Sequence, residues 1–118
     1  MSAFAQLSNE LERPTIIADH NGIIKKTNLA FEKAFGWKNS FLLGKLISTI
    51  IPEGFRDAHN LGFSRFFLEG KPKLLNQPLT LKILKADGTV IDAEHYIIAE
   101  KQNDKWVFGA YICPLQKK

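Results

Sequence analysis

The sequence predicts an α+β domain: a five-stranded antiparallel sheet with helices on one face, preceded by an amphipathic N-terminal helix. Three observations carry this. An Asn21-Gly22 corner separates two short β-rich runs near the N-terminus. After residue 78 come three strand-like runs, the first two alternating apolar with polar and joined through Asp87-Gly88. Between these groups, over residues 28–70, the apolar spacing is helical. Two strands in front can share a sheet with three behind only by pairing out of chain order, with the helices laid on one face.

Each element has its own signal. Phe4, Leu7 and Leu11 fall at helical spacing, so residues 2–12 read as an amphipathic helix that Pro14 ends. Thr15–Asp19 and Ile23–Thr27 are the arms of the first hairpin. Asn28 caps a helix bearing Leu29, Phe31 and Phe35, and Gly36 stops it. Ser40–Leu43 is a further helical piece, closed by Gly44. Pro52-Glu53 opens a long helix over 54–70 that Gly70 and Pro72 close. Leu79, Leu81 and Ile83 then form one face of a strand, which predicts that they are buried. The next strand places Ile91, Ala93, His95 and Ile97 on one face, Gln102-Asn103-Asp104 turns the chain, and Lys105–Cys113 is the last strand before Pro114. The organisation expected is a cap helix over 1–13, one domain over 14–115 and a polar tail over 116–118.

Size and composition exclude several classes. A chain of 118 residues with 45% hydrophobic and 24% charged residues is an ordinary single-core globular domain. No apolar run approaches the roughly 20 residues that cross a bilayer, so no membrane partner is expected. The N-terminus has no signal-peptide pattern, and the compartment expected is the cytoplasm. The formal charge is +4, but the basic residues are scattered, with Lys25-Lys26 and Lys117-Lys118 as the adjacent pairs, so no nucleic-acid stripe is expected. A single cysteine, Cys113, leaves no internal disulfide and no multi-cysteine metal site. There is no nucleophile elbow, no glycine-rich phosphate loop and no metal-spaced cluster, so the chain is read as a non-enzyme.

Two histidines stand out. At about 100° per residue, Phe55, His59, Phe63 and Phe66 share a face of the long helix, placing an imidazole inside an aromatic stripe. His95 alternates with Ile91, Ala93 and Ile97 on an apolar strand face. Either residue is a buried structural histidine bonded to the backbone or a polar point in a cavity. The aromatic helix face and the Leu79, Leu81, Ile83 face would be the walls of that cavity. Trp37, Trp106, Phe35 and Tyr111 are core packing or a stacking surface for a flat cofactor.

The order of elements and several short motifs resemble a PAS domain. The matching stretches are Ile16-Ile17-Ala18-Asp19, Asn21-Gly22-Ile23-Ile24, Thr27-Asn28-Leu29-Ala30, Ala34-Phe35-Gly36-Trp37, Leu43-Gly44, Ile51-Pro52-Glu53 and Lys85-Ala86-Asp87-Gly88-Thr89. They run over nearly the whole chain, from residue 14 to about 115. The resemblance implies a sensory module whose sheet and helical flank enclose a small-molecule pocket and whose outer sheet face dimerises. On that basis the pocket is assigned to His59, Phe63, Arg65, Phe66, Leu74, Leu79, Leu81, His95 and Ile97. The homodimer is expected through the N-terminal helix and the outer face, with an output domain or partner protein receiving the signal.

Within the family, His59-Asn60-Leu61-Gly62-Phe63-Ser64-Arg65-Phe66 is similar to the heme-bearing helix of rhizobial oxygen sensors. That resemblance makes His59 an axial iron ligand if heme is bound and Arg65 a propionate contact; His95 is then a polar contact to the ligand or a sixth iron ligand opposite His59. The arginine those sensors place on the following strand falls at Leu79 here. The flavin-reactive cysteine signature of light-sensing relatives has no counterpart, so flavin adduct chemistry is not expected. Many PAS domains close on an Asp-x-Thr motif, where this chain has Cys113-Pro114-Leu115-Gln116. Three readings stand at this stage: a small-molecule sensor, a heme-based gas or redox sensor, and a ligand-free dimerisation module in which Phe4, Leu7 and Leu11 pack on a partner's sheet.

Overall fold

Asp19 sets the first corner. Its carboxylate Oδ1 accepts the amides of Asn21 (2.9 Å) and Ile23 (3.0 Å), and Gly22 takes the left-handed backbone the turn needs, at φ 75°. This turn joins β1 (Thr15–Ala18) to β2 (Ile24–Thr27) as the sequence predicts. The computed structural model describes residues 2–57 and 75–115. Within them lie α1 (Ala3–Ser8), α2 (Leu29–Phe35), α3 (Asn39–Leu42) and two 3-10 turns, Ile47–Ile50 and Glu53–Phe55. The remaining strands are β3 (Pro78–Leu84), β4 (Val90–Gln102) and β5 (Lys105–Pro114). The strand order is β2-β1-β5-β4-β3, antiparallel throughout, so the first and last strands meet in the middle of the sheet.

The local chemistry follows the sequence closely in α2. Asn28 caps it, with Oδ1 accepting from Phe31 N at 3.0 Å, and Gly36 ends it at φ 82°. The β4–β5 turn places Asn103 and Asp104 at φ 54° and 65°, the two positive angles of a two-residue hairpin corner. At the β3–β4 turn Asp87 Oδ1 accepts from Thr89 N (2.9 Å) and Thr89 Oγ1 (2.7 Å), and Gly88 sits at φ 90°.

The sheet is buried on both faces. On the inner face, Phe31 and Phe35 of α2, Leu42 of α3 and Ile50 pack against Ile16, Ile24, Ile83, Ala93, Ala110 and Ile112. On the outer face, Phe4 and Leu7 of α1 pack against Ile17 and Ile98, with Val107 and Tyr111 alongside. All four residues of β1 are therefore buried.

Four expectations change here. The helix expected over 2–12 spans Ala3–Ser8, and Leu11 is 82% exposed. Glu10 turns the chain away from the helix: its Oε2 accepts from Glu12 N (3.0 Å) while its Oε1 holds the Arg13 guanidinium. Helices were expected on one face, but α1 covers the other, and Phe4 and Leu7 are spent on this chain's own sheet rather than free for a partner's. Phe55, placed in the aromatic stripe of the long helix, lies in a 3-10 turn and is 50% exposed. Leu81, expected in the buried wall, is 42% exposed, because β3 is an edge strand and only Ile83 reaches the packed core, at 1%. The long helix predicted over 54–70 lies, from residue 58 onward, outside the described residues.

Candidate functional site

The inner face of β3 and β4 brings together the four expected site residues that are described. Leu79 stands directly opposite His95, Leu81 opposite Ala93, and Ile97 follows His95 on the same face. Across β5, His95 is paired with Ile112 and Ile97 with Ala110. Leu79 and Ile97 are half-buried and His95 is 8% exposed. His59, Phe63, Arg65, Phe66 and Leu74 lie outside the described residues.

His95 Nδ1 lies 3.0 Å from the Ala93 carbonyl oxygen. That oxygen can only accept, so Nδ1 is the protonated nitrogen. Burial pushes the imidazole pKa below its ordinary value, and the Ala93 contact opposes this only in part. The ring is thus a neutral, desolvated group on an apolar surface. The expectation of a histidine bonded to a backbone carbonyl is met, and its second nitrogen is left for other work.

The aromatic residues read as core packing or a stacking surface each make defined contacts. Phe35 is fully buried against Phe31, with ring centroids 4.8 Å apart. Trp37 donates its Nε1–H to Leu84 O at 2.8 Å and stacks on Phe41. Tyr111 faces the outer side, where the Arg13 guanidinium carbon lies 4.0 Å from its ring centre. Trp106 is near the tip of the β4–β5 hairpin with the Lys101 ammonium 5.7 Å from its ring. Cys113 is half-buried opposite Glu94 on the outer face, and burial pushes its thiol pKa up, which disfavours the nucleophilic thiolate.

An open notch of about 420 Å³ lies elsewhere, between the end of α2 and the β3–β4 turn, lined by Lys33, Phe35, Gly36, Lys85, Ala86 and Asp87 among others. It sits at the far end of β3 from Leu79, and the Ala86 N–H donated to Phe35 O at 3.0 Å ties its two walls together. Among the described residues no group of three or more His, Cys, Asp or Glu side chains is placed to hold a metal ion, and no helix is long and apolar enough to cross a membrane.

Sequence reasoning found part of the role of Asn28 and missed that of Gly109. Asn28 does more than cap α2: its Oδ1 also accepts Thr15 N (3.0 Å), and its Nδ2 donates to Glu10 O (3.0 Å) and Arg13 O (2.8 Å). Gly109 is the seat of α1, since a Cβ there would stand 2.8 Å from Leu7 Cδ2. A lone glycine in an apolar strand was the available signal for such a close approach.

Comparison with known proteins agrees with this geometry. A model of the PAS fold matches residues 3–71, more than half of the chain. An uncharacterized protein of Azorhizobium caulinodans is 31% identical over 98 residues, covering 82% of this chain and 13% of that protein. Sensor protein FixL of Bradyrhizobium diazoefficiens is 28% identical over 88 residues, covering 75% of this chain and 17% of FixL. The chain therefore spans less than a fifth of the length of either relative. A PAS domain from Desulfitobacterium hafniense superposes with a TM-score of 0.72 at 25% identity, over 89% of this chain and 94% of that one. A Rhodobacter sphaeroides LOV protein gives 0.71 at 10% identity, over 92% and 62%, a likeness of fold alone.

Proposed function

The chain belongs to the PAS family, and from that premise we propose that it is a non-catalytic sensory module that binds a small molecule against the inner face of β3 and β4. The observation that carries this reading is His95, a neutral buried imidazole among Leu79, Ala93, Ile97 and Ile112. Ligand pockets combine apolar walls with a few inward polar groups, and this face has that composition. Leu81, 42% exposed beside fully buried Ala93, extends the apolar surface along the same face. His59, Phe63, Arg65, Phe66 and Leu74 complete the proposed pocket by the family resemblance.

The same strands supply a route outward. His95 and Ile112 face inward, and three residues along β4 and β5 Ile98 and Gly109 face outward as the seat of α1. A ligand that prefers one arrangement of β4 and β5 biases the docking of α1, by no more than its difference in affinity for the two states. Homodimerisation through α1 and the outer face, with an output domain or partner protein downstream, belongs to this proposal. Thermal denaturation of the full chain across a broad metabolite panel tests it. A melting temperature that rises with the logarithm of ligand concentration above its Kd is expected. No shift from any compound overturns the sensor reading.

The similarity to FixL favours a second reading, heme binding with His59 as axial ligand. Leu79 stands where the resemblance places the distal arginine, so a hydrogen-bond donor to bound oxygen is missing at that position, and His95 stands directly opposite it. Hemin added to the full chain would give an intense Soret band that His59→Ala abolishes. Identical spectra for the two proteins remove this reading.

A further inference from the structure

Around His95 the inner face of β3, β4 and β5 carries Leu79, Leu81, Ile83, Ile91, Ala93, Ile97, Ala110 and Ile112, and Lys101 on the same face lies out toward the β4–β5 tip beside Trp106. His95 as a whole is 8% exposed. Nδ1–H is given to the Ala93 carbonyl. In that tautomer Nε2 has a lone pair and no proton, and it can only accept. Among the described residues no donor reaches it. A buried acceptor without a partner is unusual in a folded protein and calls for a group that completes it.

We propose that His95 Nε2 is the recognition point of the inner-face site, and that its ligand is a neutral, mostly apolar molecule presenting one N–H or O–H donor, such as a heteroaromatic ring N–H or a phenol. The proposal rests on the small-molecule reading above and adds the ligand's chemical class. Carboxylates and phosphates are disfavoured, because they would bring acceptors to an acceptor and no cation among the described residues of β3, β4 and β5 lies on this face between Leu79 and Ile112. An ammonium ion could donate, but it would lose its hydration against leucine and isoleucine.

Indole and benzofuran test the donor requirement, being alike in shape and differing in a ring N–H against a ring oxygen. Titrated into the isotope-labelled full chain and read by amide shifts, indole is expected to bind about three- to tenfold more tightly than benzofuran. His95→Leu should bind the two equally. His95→Gln, which restores an acceptor oxygen, should recover part of the preference. Ring nitrogen NMR of the unaltered protein needs no variant and should find Nδ1 protonated and Nε2 bare. A protonated Nε2, or no preference between the probes in the unaltered protein, overturns this proposal and leaves the pocket intact. Failure of both probes to bind overturns this proposal, whereas the pocket reading falls only if the metabolite panel also gives no shift.

Discussion

Asn28 and His95 show how much a single buried polar side chain decides. Asn28 satisfies its whole hydrogen-bonding capacity at once, linking α2, β1 and the segment between α1 and β1. Asn28→Ala removes the partner of the buried Thr15 amide and of the Glu10 and Arg13 carbonyls, and is expected to cost about 1–3 kcal/mol, read as a lower denaturation midpoint at unchanged slope. Asn28→Asp should cost as much or more at neutral pH, because a carboxylate oxygen would then face the Glu10 and Arg13 carbonyls. His95 makes stability depend on pH. Its folded pKa lies below its ordinary value of 6.5, so between the two the unfolded chain binds more protons. That contribution is complete above pH 6.5 and is lost as pH falls toward the folded pKa, with a slope of at most about 1.4 kcal/mol per pH unit. Urea titrations from pH 7.5 to 5 should show this decline in the unaltered protein and a flatter profile in His95→Leu. A stability that rises on acidification through this window would contradict the buried neutral ring.

At the scale of elements, α1 is the most conditional part of the molecule. A six-residue helix is too short to hold itself together, so its shape depends on docking. Two side chains make that contact, Phe4 and Leu7, each contributing about 1.5–3 kcal/mol as an upper estimate. Leu7→Ala is expected to cost about 2–5 kcal/mol. Gly109→Ala puts a methyl into Leu7 Cδ2 and Phe4, and should cost about 1–3 kcal/mol, less than a backbone clash because a leucine tip can turn. The two changes share one contact, so the double variant should lose less than the sum, a coupling that a double-mutant cycle measures. Strict additivity would mean that Leu7 does not rest on Gly109. The dimer hypothesis meets its constraint here as well: Phe4 and Leu7 can serve a partner's sheet only by leaving their own.

Across the whole molecule, a sheet packed on both faces should open in stages. β1 is buried throughout and lies between β2 and β5, while α1 is a thin outer layer. Hydrogen exchange should find the amides of β1, β4 and β5 released only by global unfolding and those of α1 by a smaller, local opening. Equal protection in both would make α1 part of the cooperative core. Much of this plan is legible in the residues. Asn21-Gly22, Asp87-Gly88 and Asn103-Asp104 fix the hairpins through backbone angles that few residues adopt, and Asn28 and Gly36 fix α2 by satisfying its ends. Alternation placed Leu79, His95 and Ile97 on one side, as the register has them. Periodicity reports only which side a residue faces, so Leu81 and Leu11 looked like core although an edge strand and a bend leave them 42% and 82% exposed. What the amino-acid order determined alone was local: turns, caps, strand faces and, through their order, the family. Tertiary structure alone decided which surface covers which, putting α1 on the outer face of its own sheet, Leu7 over Gly109, and His95 beside Ala93 with its proton on Nδ1. The reason is range: turns and caps are settled within a few neighbours, whereas burial and tautomer depend on atoms the chain brings together only when it folds.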